Sequence, residues 1–353
     1  MLREPFSYLP SNESPFTSSL RSATVAEYEV ARDAHPEYST GFNDPNFLKT
    51  VARAEGGSFE VFKWNTFESK GILPAIVVRN HKAGTVNNVP IRYIGPIVDD
   101  PKTLPTTLKY LGSALATKLI YFNRASFTPA LNELDLPQFT EKGFQTYDFT
   151  TCVLPLDDLS PEGLPMTTKP DLRRKIRQAK NAGLMVEDAT EEDIKVTLPR
   201  LMKYAYNRSG EEVPYAAKLP SELWNSMHDK PNVRMVAARM GSETMAVLVA
   251  LADKDTIYSM WYARSYDNPD LDNFVILEST IGHVAHEAAA AGITKYDLGG
   301  GTAGIVNFKQ RIGAEVQNFP VINYTHPFGQ KVKTLANFAN KLSSLNAHIH
   351  GRQ

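Results

Sequence analysis

The first part of the chain shows short apolar runs that predict strands, with helical segments between them. Residues 58–64 alternate between apolar and polar side chains and residues 71–79 are almost continuously apolar, which predicts two strands joined by a hairpin connection over 65–70. Asn43 or Asp44, followed by Pro45, predicts the start of a helix. The other predicted elements here are helices over 25–32 and 104–118 and apolar runs over 91–97, 119–122 and 143–155.

The second part predicts a strand–helix–strand unit behind a pair of hairpins. Turn residues at 241–243 and 253–255 indicate that strands over 233–240, 245–252 and 256–264 pair antiparallel. A helix over 274–291, ended by Gly292, then leads to a strand over 293–298, which predicts a parallel crossover. The remaining predicted elements are a helix over 171–183 capped by Asp171, helices from Thr190 to 210 and over 221–228, a strand pair or long strand over 314–324, and an amphipathic tail helix from 330.

The length and a polar connection predict two domains of mixed α/β structure. A chain of 353 residues suits two domains, since domains typically have roughly 100–200 residues. Residues 156–168 are rich in Asp, Ser, Pro and Thr and read as the connection. We therefore expect a flexible leader over 1–24, an N-terminal half over 25–155, a C-terminal half over 156–328, and a helix or tail over 329–353.

Composition excludes several classes of protein. Lys and Arg total 38 and Asp and Glu total 39, so the net charge indicates neither a nucleic-acid nor an acidic-membrane partner. A single cysteine, Cys152, excludes an internal disulfide framework and a Cys-based zinc site, and no metal is expected. No apolar run approaches the roughly 18 residues of a membrane span, and the N-terminus lacks the pattern of a signal peptide. The expected location is the cytoplasm.

The stretch over 296–314 concentrates the candidate chemistry. A short strand runs into Gly299, Gly300 and Gly301, and the chain then restarts as a short helix that carries Phe308 and Lys309. A strand that enters a glycine turn and then a helix places backbone N–H groups and a cation at one point. Such a point suits a developing negative charge.

Four segments resemble the Fem-like branch of the GNAT acyltransferase superfamily and the related BioF2-like acetyltransferase domains. They are Phe47 and Lys49, where the family usually has Trp in place of Phe47; the basic helix over 172–184; the helix end over 204–210; and Tyr296-Asp-Leu-Gly-Gly with Gly304, Phe308-Lys309 and Gly313. The part of the chain that these segments span is about two thirds of its length. The resemblance implies two tandem GNAT-like halves with mixed sheets and a cleft between them.

The resemblance implies roles for residues of the glycine stretch. Lys309 matches the position of a catalytic lysine and would stabilise an oxyanion; the alternative is a lysine whose ammonium lies in solvent beside a core Phe308. Asp297 would orient the acceptor amine or act as a base, or would instead cap the next helix or tie the glycine loop by hydrogen bonds. Gly299 and Gly300 would admit substrate or merely permit a tight turn. Tyr262 is a third catalytic candidate, at the end of the central strand.

Substrate binding is assigned to a second group. The resemblance implies that Arg208, one helical turn after Tyr204, holds a phosphate-bearing acceptor; the alternative is a surface salt bridge with Glu211 or Glu212. The remaining substrate-binding candidates are Arg264, Phe308 and Lys49. On the basic helix, Arg173, Arg174 and Arg177 could contact tRNA, or could form an ordinary solvated face.

These residues predict an N-acyltransferase that acts on an amine of a cell-envelope, polysaccharide or peptide acceptor. The loop over 265–273 has no glycine and three aspartates, which disfavours the phosphates of acyl-CoA and favours an aminoacyl-tRNA donor. The alternatives are an acyl-CoA-dependent N-acetyltransferase and a non-catalytic binding protein in polymer assembly. We expect no tightly bound cofactor, because the acyl donor is a co-substrate. The expected partners are a small-molecule or peptide amine and, as a candidate, tRNA.

Overall fold

The computed structural model describes residues 20–80, 83–86, 91–122, 124–131, 134–266 and 275–323. These residues form two mixed β-sheets with helices packed on them. The first sheet has the order β1-β2-β3-β4-β6, with β5 paired to β3. Its strands are β1 (Arg21–Ser22), β2 (Ser58–Asn65), β3 (Lys70–Asn80), β4 (Ala83–Val86), β5 (Ile97–Val98) and β6 (Ile120–Phe122).

The second sheet has the order β7-β14-β8-β13-β12-β11-β10-β9. Its strands are β7 (Arg124–Ser126), β8 (Gln145–Pro155), β9 (Leu184–Asp188), β10 (Val233–Met240), β11 (Glu243–Asp253), β12 (Thr256–Arg264), β13 (Lys295–Asp297) and β14 (Glu315–Asn323). The α-helices are α1 (Val25–Ala34), α2 (Pro45–Ala54), α3 (Leu104–Ala116), α4 (Leu136–Glu141), α5 (Pro170–Asn181), α6 (Leu198–Ser209), α7 (Leu219–Met227), α8 (Ile276–Ala290) and α9 (Ala303–Arg311).

Several of these helices and strands form where the local sequence signals predicted them. Asp44 precedes α2 and its carboxylate accepts hydrogen bonds from the backbone N–H groups of Asn46 and Phe47, while Pro45 occupies the first helical position. Both predicted hairpins form, and β14 is one long strand. The predicted crossover is also confirmed, because β12 and β13 pair in parallel and α8 connects them.

Three local predictions need correction. Asp171 does not cap α5: Pro170 takes the first helical position, and Asp171 lies in the first turn, where it pairs with Arg174. Residues 20–24 are not a flexible leader, because β1 pairs with β2 and Thr24 caps α1 in a capping box. The apolar run over 91–97 does not form one strand, since Tyr93 has a φ of 59° that interrupts extended backbone. Residues 1–19 of the predicted leader and the predicted tail from 329 lie outside the described residues.

The division between the sheets does not coincide with the predicted boundary at residue 155. Strands β7 and β8 precede that boundary, yet both belong to the second sheet, where β14 lies between them. One hydrophobic core also contains residues from both parts of the chain, such as Phe47, Leu73, Leu198 and Trp261. The two parts of the chain are therefore joined through strand pairing within the second sheet and through a shared core.

The predicted connection over 156–168 is packed against α8. A Cβ atom built on Gly163, whose φ is 78°, would lie 1.8 Å from the carbonyl oxygen of Gly282 in α8. The neighbouring Glu162 is buried and accepts a hydrogen bond of 2.7 Å from Arg177 of α5. This segment thus fixes α5 and α8 relative to each other.

Candidate functional site

The site is built where β12 and β13 separate. Their parallel pairing runs from Thr256 opposite Lys295 to Tyr258 opposite Asp297 and stops there. Strand β12 continues to Arg264, and no described strand pairs with it on that side. The chain after β13 instead turns away through the glycine stretch into α9.

Asp297 is the buried anchor of this junction. Its carboxylate is almost fully enclosed and accepts four hydrogen bonds, from Arg92 Nη1 (3.0 Å), Tyr93 Oη (2.6 Å), Thr151 Oγ1 (2.5 Å) and the backbone N–H of Gly299 (2.7 Å). Three of these donors bind Oδ1 and Tyr93 binds Oδ2, so both oxygens of the carboxylate are engaged within the protein. The structure therefore places Asp297 as the group that ties the glycine loop, which is the alternative the sequence left open.

Arg92 and Tyr93 bring the first part of the chain into the site. Besides Asp297, Arg92 donates a hydrogen bond of 2.6 Å from Nη2 to the carbonyl oxygen of Ser259, where β12 has an irregular register. Burial by itself would lower the pKa of Arg92, but the Asp297 carboxylate and nearby phenols raise it above the ordinary value. Burial and Asp297 raise the pKa of Tyr93. Both groups consequently stay protonated and act as donors to the carboxylate.

The glycines are required by contacts within the protein. A Cβ atom at Gly299, whose φ is 73°, would lie 2.6 Å from Nη1 of Arg92. A Cβ atom at Gly300 would lie 2.1 Å from the carbonyl oxygen of Thr150 in β8. Any larger residue at these positions would displace either the Arg92 guanidinium or strand β8. The turn is thus pressed between the sheet and the Arg92 side chain.

Lys309 lies beneath this turn and is buried. Its side chain is 1% exposed, and Nζ donates hydrogen bonds of 2.7 Å and 2.6 Å to the carbonyl oxygens of Gly299 and Gly300. Nζ also lies 5.5 Å from the centre of the Tyr262 ring. Burial is the main cause that lowers the pKa of Lys309 to about 8, with Cys152 raising it and Arg92 lowering it further. The alternative of a solvated ammonium is therefore excluded.

Tyr262 connects Lys309 to a more exposed cluster of aromatic and cationic groups. Burial raises the pKa of Tyr262, so its hydroxyl stays protonated. Further along β12, the guanidinium carbon of Arg264 lies 4.3 Å from the ring centre of Tyr266, and that of Arg208 lies 4.4 Å from the same ring. Tyr204 stacks on Tyr266 with the ring centres 5.8 Å apart. In the described residues, no ion pair joins Arg208 to a carboxylate, so the predicted salt bridge with Glu211 or Glu212 does not form.

The remaining candidates, which are Phe308, Lys49 and three arginines of α5, form no hydrogen bond with Lys309 in the described part of the chain. Phe308 is half-buried and packs against the core beneath α9. Lys49 is on the exposed side of α2, and no hydrogen bond or ion pair within the described residues connects it to the site. On α5, the charges of Arg174 and Arg177 are paired with Asp171 and Glu162, and Arg173 Nη1 lies 3.3 Å from Met166 Sδ. Nucleic-acid contact by these three arginines stays a prediction.

Sequence reasoning missed Arg92, Tyr93 and Thr151. Arg92 and Tyr93 are separated from Asp297 by 205 and 204 positions, so no local spacing relates them. The available signal was an Arg-Tyr pair inside the otherwise apolar run over 91–97, since a charge in a buried run requires a partner.

Among the residues that the structure describes, no group of His, Cys, Asp or Glu side chains is arranged to hold a metal ion. None of the helices described there is both long enough and apolar enough to cross a membrane.

Known proteins resemble this chain in sequence over one segment and in structure over most of its length. Residues 167–310 match the family model for an acetyltransferase (GNAT) domain. No curated protein sequence matches the chain significantly. Among solved structures, the chain is similar to FemX, with 14% identity, a TM-score of 0.65, and coverage of 90% of this chain and 99% of FemX.

Two further similarities are more distant. One is to a conserved protein of unknown function from Bacteroides thetaiotaomicron, with 10% identity, a TM-score of 0.52, and coverage of 88% of this chain and 100% of that protein. The other is to L-PGS from Bacillus licheniformis, with 12% identity and coverage of 81% of this chain and 94% of that one. Its TM-score is 0.47.

The family match and the shared fold confirm the main expectation from the sequence. The two mixed sheets correspond to the predicted tandem GNAT-like halves, and the FemX structure has the same fold over nearly its whole length. The matched segment contains Arg208, Tyr262, Asp297 and Lys309. Residues 167–310 therefore form an acetyltransferase domain of the GNAT superfamily, and the protein is an acyltransferase.

Proposed function

We propose that this acyltransferase moves an aminoacyl or acyl group onto an amine, with Lys309 stabilising the oxyanion. The observation that carries the proposal is the buried ammonium held by the carbonyl oxygens of Gly299 and Gly300. An ammonium has three N–H donors, and these two bonds leave one for a ligand. A charged donor that is already fixed in a desolvated position stabilises a developing negative charge strongly.

The protonation states fit this role. With its pKa lowered to about 8, Lys309 is mostly charged at neutral pH, as oxyanion stabilisation requires. Tyr262 keeps its proton because burial raises its pKa, so its hydroxyl is able to donate that proton to a leaving group. Asp297, enclosed by its four donors, is assigned a positioning role, in which it fixes the loop whose carbonyl oxygens hold Lys309.

The reaction is an ordinary acyl transfer. The nitrogen of a neutral acceptor amine attacks the carbonyl carbon of the donor ester, and the carbonyl oxygen becomes the oxyanion that Lys309 contacts. Collapse of this intermediate breaks the bond between the carbonyl carbon and the leaving oxygen. Tyr262 protonates the leaving oxygen, and the proton released by the amine restores Tyr262, so the protons balance.

The acceptor is assigned to the cluster of Tyr204, Arg208, Arg264 and Tyr266. Two guanidiniums near one aromatic ring provide planar, permanently charged donors that suit a phosphate or carboxylate. The cluster extends from Tyr262 along β12, so an acceptor anchored there would direct its amine towards Lys309.

An aminoacyl-tRNA donor is favoured over acyl-CoA. The segment over 265–273 has no glycine and three aspartates, a composition that disfavours close binding of a pyrophosphate. Of that segment, only Ser265 and Tyr266 belong to the described residues. The fold shared with FemX is compatible with this donor, which the sequence resemblance implies for Fem-like enzymes.

Transfer assays with both donor classes test the proposal. The protein is incubated with a labelled aminoacyl-tRNA pool or with acetyl-CoA, together with a panel of amine acceptors, and labelled products are quantified. We expect Lys309→Met to reduce transfer by about a hundredfold or more, the size of losing one oxyanion donor. Lys195→Met is the matched control, because Lys195 lies on the π-helical turn before α6 and pairs with Glu191.

The outcomes separate the alternatives. Unchanged transfer by Lys309→Met would refute the role of Lys309. Transfer from acetyl-CoA but not from aminoacyl-tRNA, with a melting temperature raised by acetyl-CoA, would assign the acyl-CoA-dependent function instead.

A further inference from the structure

A line of aromatic rings leads from Asp297 to the surface. The hydroxyl of Tyr93, which donates to Asp297, belongs to a ring that lies 4.9 Å from the ring of Phe319, centre to centre. The ring of Phe319 in turn lies 6.1 Å from that of Phe149 on the adjacent strand β8. Tyr93 and Phe319 are buried, whereas Phe149 is 47% exposed. The buried centre therefore continues directly into an exposed aromatic surface.

Phe149 has an exposed aromatic neighbour on the same face of the sheet. Tyr147, two positions earlier on β8, is 44% exposed. Side chains two positions apart on a strand project from the same face. Phe149 also shares this face with Thr151, whose hydroxyl donates to Asp297. Two exposed rings thus stand side by side next to the candidate site.

Arg124 adds to these rings a cation that has no ion-pair partner among the described residues. It begins the edge strand β7, and its guanidinium carbon lies 6.0 Å from the centre of the Phe149 ring. Its Nε atom is buried and has no hydrogen-bond partner, and no described carboxylate lies within ion-pair distance of the side chain. Burial lowers the pKa of this guanidinium. A partly desolvated cation without a counter-charge is unfavourable unless a ligand supplies that charge.

We propose that Arg124, Tyr147 and Phe149 form a subsite for the phosphorylated nucleoside part of a substrate. Exposed aromatic rings stack on bases irrespective of their sequence, and a free guanidinium is a bidentate donor for phosphate. An apolar ligand would leave Arg124 without a partner, and inorganic phosphate would make no use of the rings. A nucleotide satisfies both features.

The donor and the acceptor of the reaction are both candidate sources of this nucleotide. An aminoacyl-tRNA end, coenzyme A and a sugar nucleotide all contain a phosphorylated nucleoside. That the bound nucleotide belongs to a substrate rests on the proposed acyl transfer. Binding itself is measured without turnover. Loss of the proposed function of Lys309 and loss of this subsite are therefore distinguishable.

Calorimetric titration of the full chain with AMP, UMP, adenosine and inorganic phosphate tests the subsite. We expect the protein to bind AMP more tightly than adenosine. Phe149→Ala should weaken both by about tenfold, the size of one lost stacking contact. Arg124→Gln should weaken AMP by about tenfold and leave adenosine unchanged.

Conservative variants and distant controls make the result specific. Phe149→Trp should retain most of the affinity, since it keeps an aromatic ring. Arg124→Lys keeps the charge but not the bidentate donor, so its affinity for AMP should lie between those of the unmodified protein and Arg124→Gln. Phe67→Ala, at a fully exposed hairpin position, and Arg53→Gln, on α2, should bind as the unmodified protein does. Circular dichroism and melting temperatures verify that each variant is folded.

The same titration with coenzyme A, a uridine diphosphate sugar and an RNA minihelix ending in single-stranded CCA identifies the source. The physiological source is the one that loses affinity in both Phe149→Ala and Arg124→Gln. Absence of nucleotide binding by the unmodified protein at millimolar concentrations would overturn the proposal. So would equal affinities in the two variants and the unmodified protein.

Discussion

Replacing Lys309 with methionine should make the stability of the protein respond differently to pH. Methionine has a similar length but carries no charge, so the change removes the titrating group and its two hydrogen bonds to Gly299 and Gly300. The lost hydrogen bonds lower the stability by an amount that does not depend on pH. Only the loss of the titrating ammonium changes the slope.

The magnitude follows from the pKa of the buried ammonium. Burial lowers it from the ordinary value of 10.5 to about 8, a difference worth about 3 kcal/mol at the limit of low pH. Between these two values the unfolded chain binds more protons than the folded one, so the stability of the unmodified protein rises with pH. Integration from pH 7 to pH 10 gives a gain of about 2.5 kcal/mol from this residue.

Urea unfolding at pH 7, 8, 9 and 10 measures this gain. The free energy of unfolding of the unmodified protein minus that of Lys309→Met should rise by about 2.5 kcal/mol across the series. Groups that do not interact with Lys309 titrate in both proteins and cancel in the difference. The free energy of unfolding of the unmodified protein minus that of Lys195→Met should stay nearly constant across the same pH series. A difference for Lys309→Met that is independent of pH would refute a buried, desolvated Lys309.

Two further substitutions probe the anchor and the turn. Tyr93→Phe removes a donor from the buried Asp297 and should cost about 1–3 kcal/mol of unfolding free energy in urea. Tyr110→Phe removes a buried hydroxyl that has no partner among the described residues, and it should cost almost nothing. A similar loss for both would contradict the network. Gly300→Ala places a Cβ atom 2.1 Å from a carbonyl oxygen and should lower the melting temperature, while Gly304→Ala, with no atom within 4 Å, should not. Equal melting temperatures for the two variants would argue against the pressed turn.

Much of the fold was predictable because the signals are local. The Asp44-Pro45 start of α2 and the strand–helix–strand unit around α8 depend on neighbouring residues and on side-chain periodicity, which the sequence displays directly. The Asp171 cap failed for a local reason as well, since Pro170 competes for the same helix start. The placement of β7 and β8 in the second sheet was not predictable, because strand pairing over long separations leaves no periodic trace.

The candidate site was predictable only in its C-terminal part. Lys309 and the glycines lie within one stretch, so their proximity could be read from the sequence and from its resemblance to Fem-like proteins. The burial of Lys309 could not, because a lysine on a short helix is ordinarily solvated. Arg92 and Tyr93 reach Asp297 only through tertiary packing.

The pairing of β7 with β14 has a consequence for how the protein is made. Strand β7 ends at Ser126, and its partner is the last described strand of the chain. Asp297, which accepts a hydrogen bond from Arg92, is likewise synthesised 205 positions after it. At roughly 5–20 residues per second, a ribosome needs on the order of ten seconds to supply these partners. During that interval β7 and Arg92 both lack the partners that they have in the folded protein, so the second sheet and the buried centre at Asp297 are completed only after β14 has been synthesised.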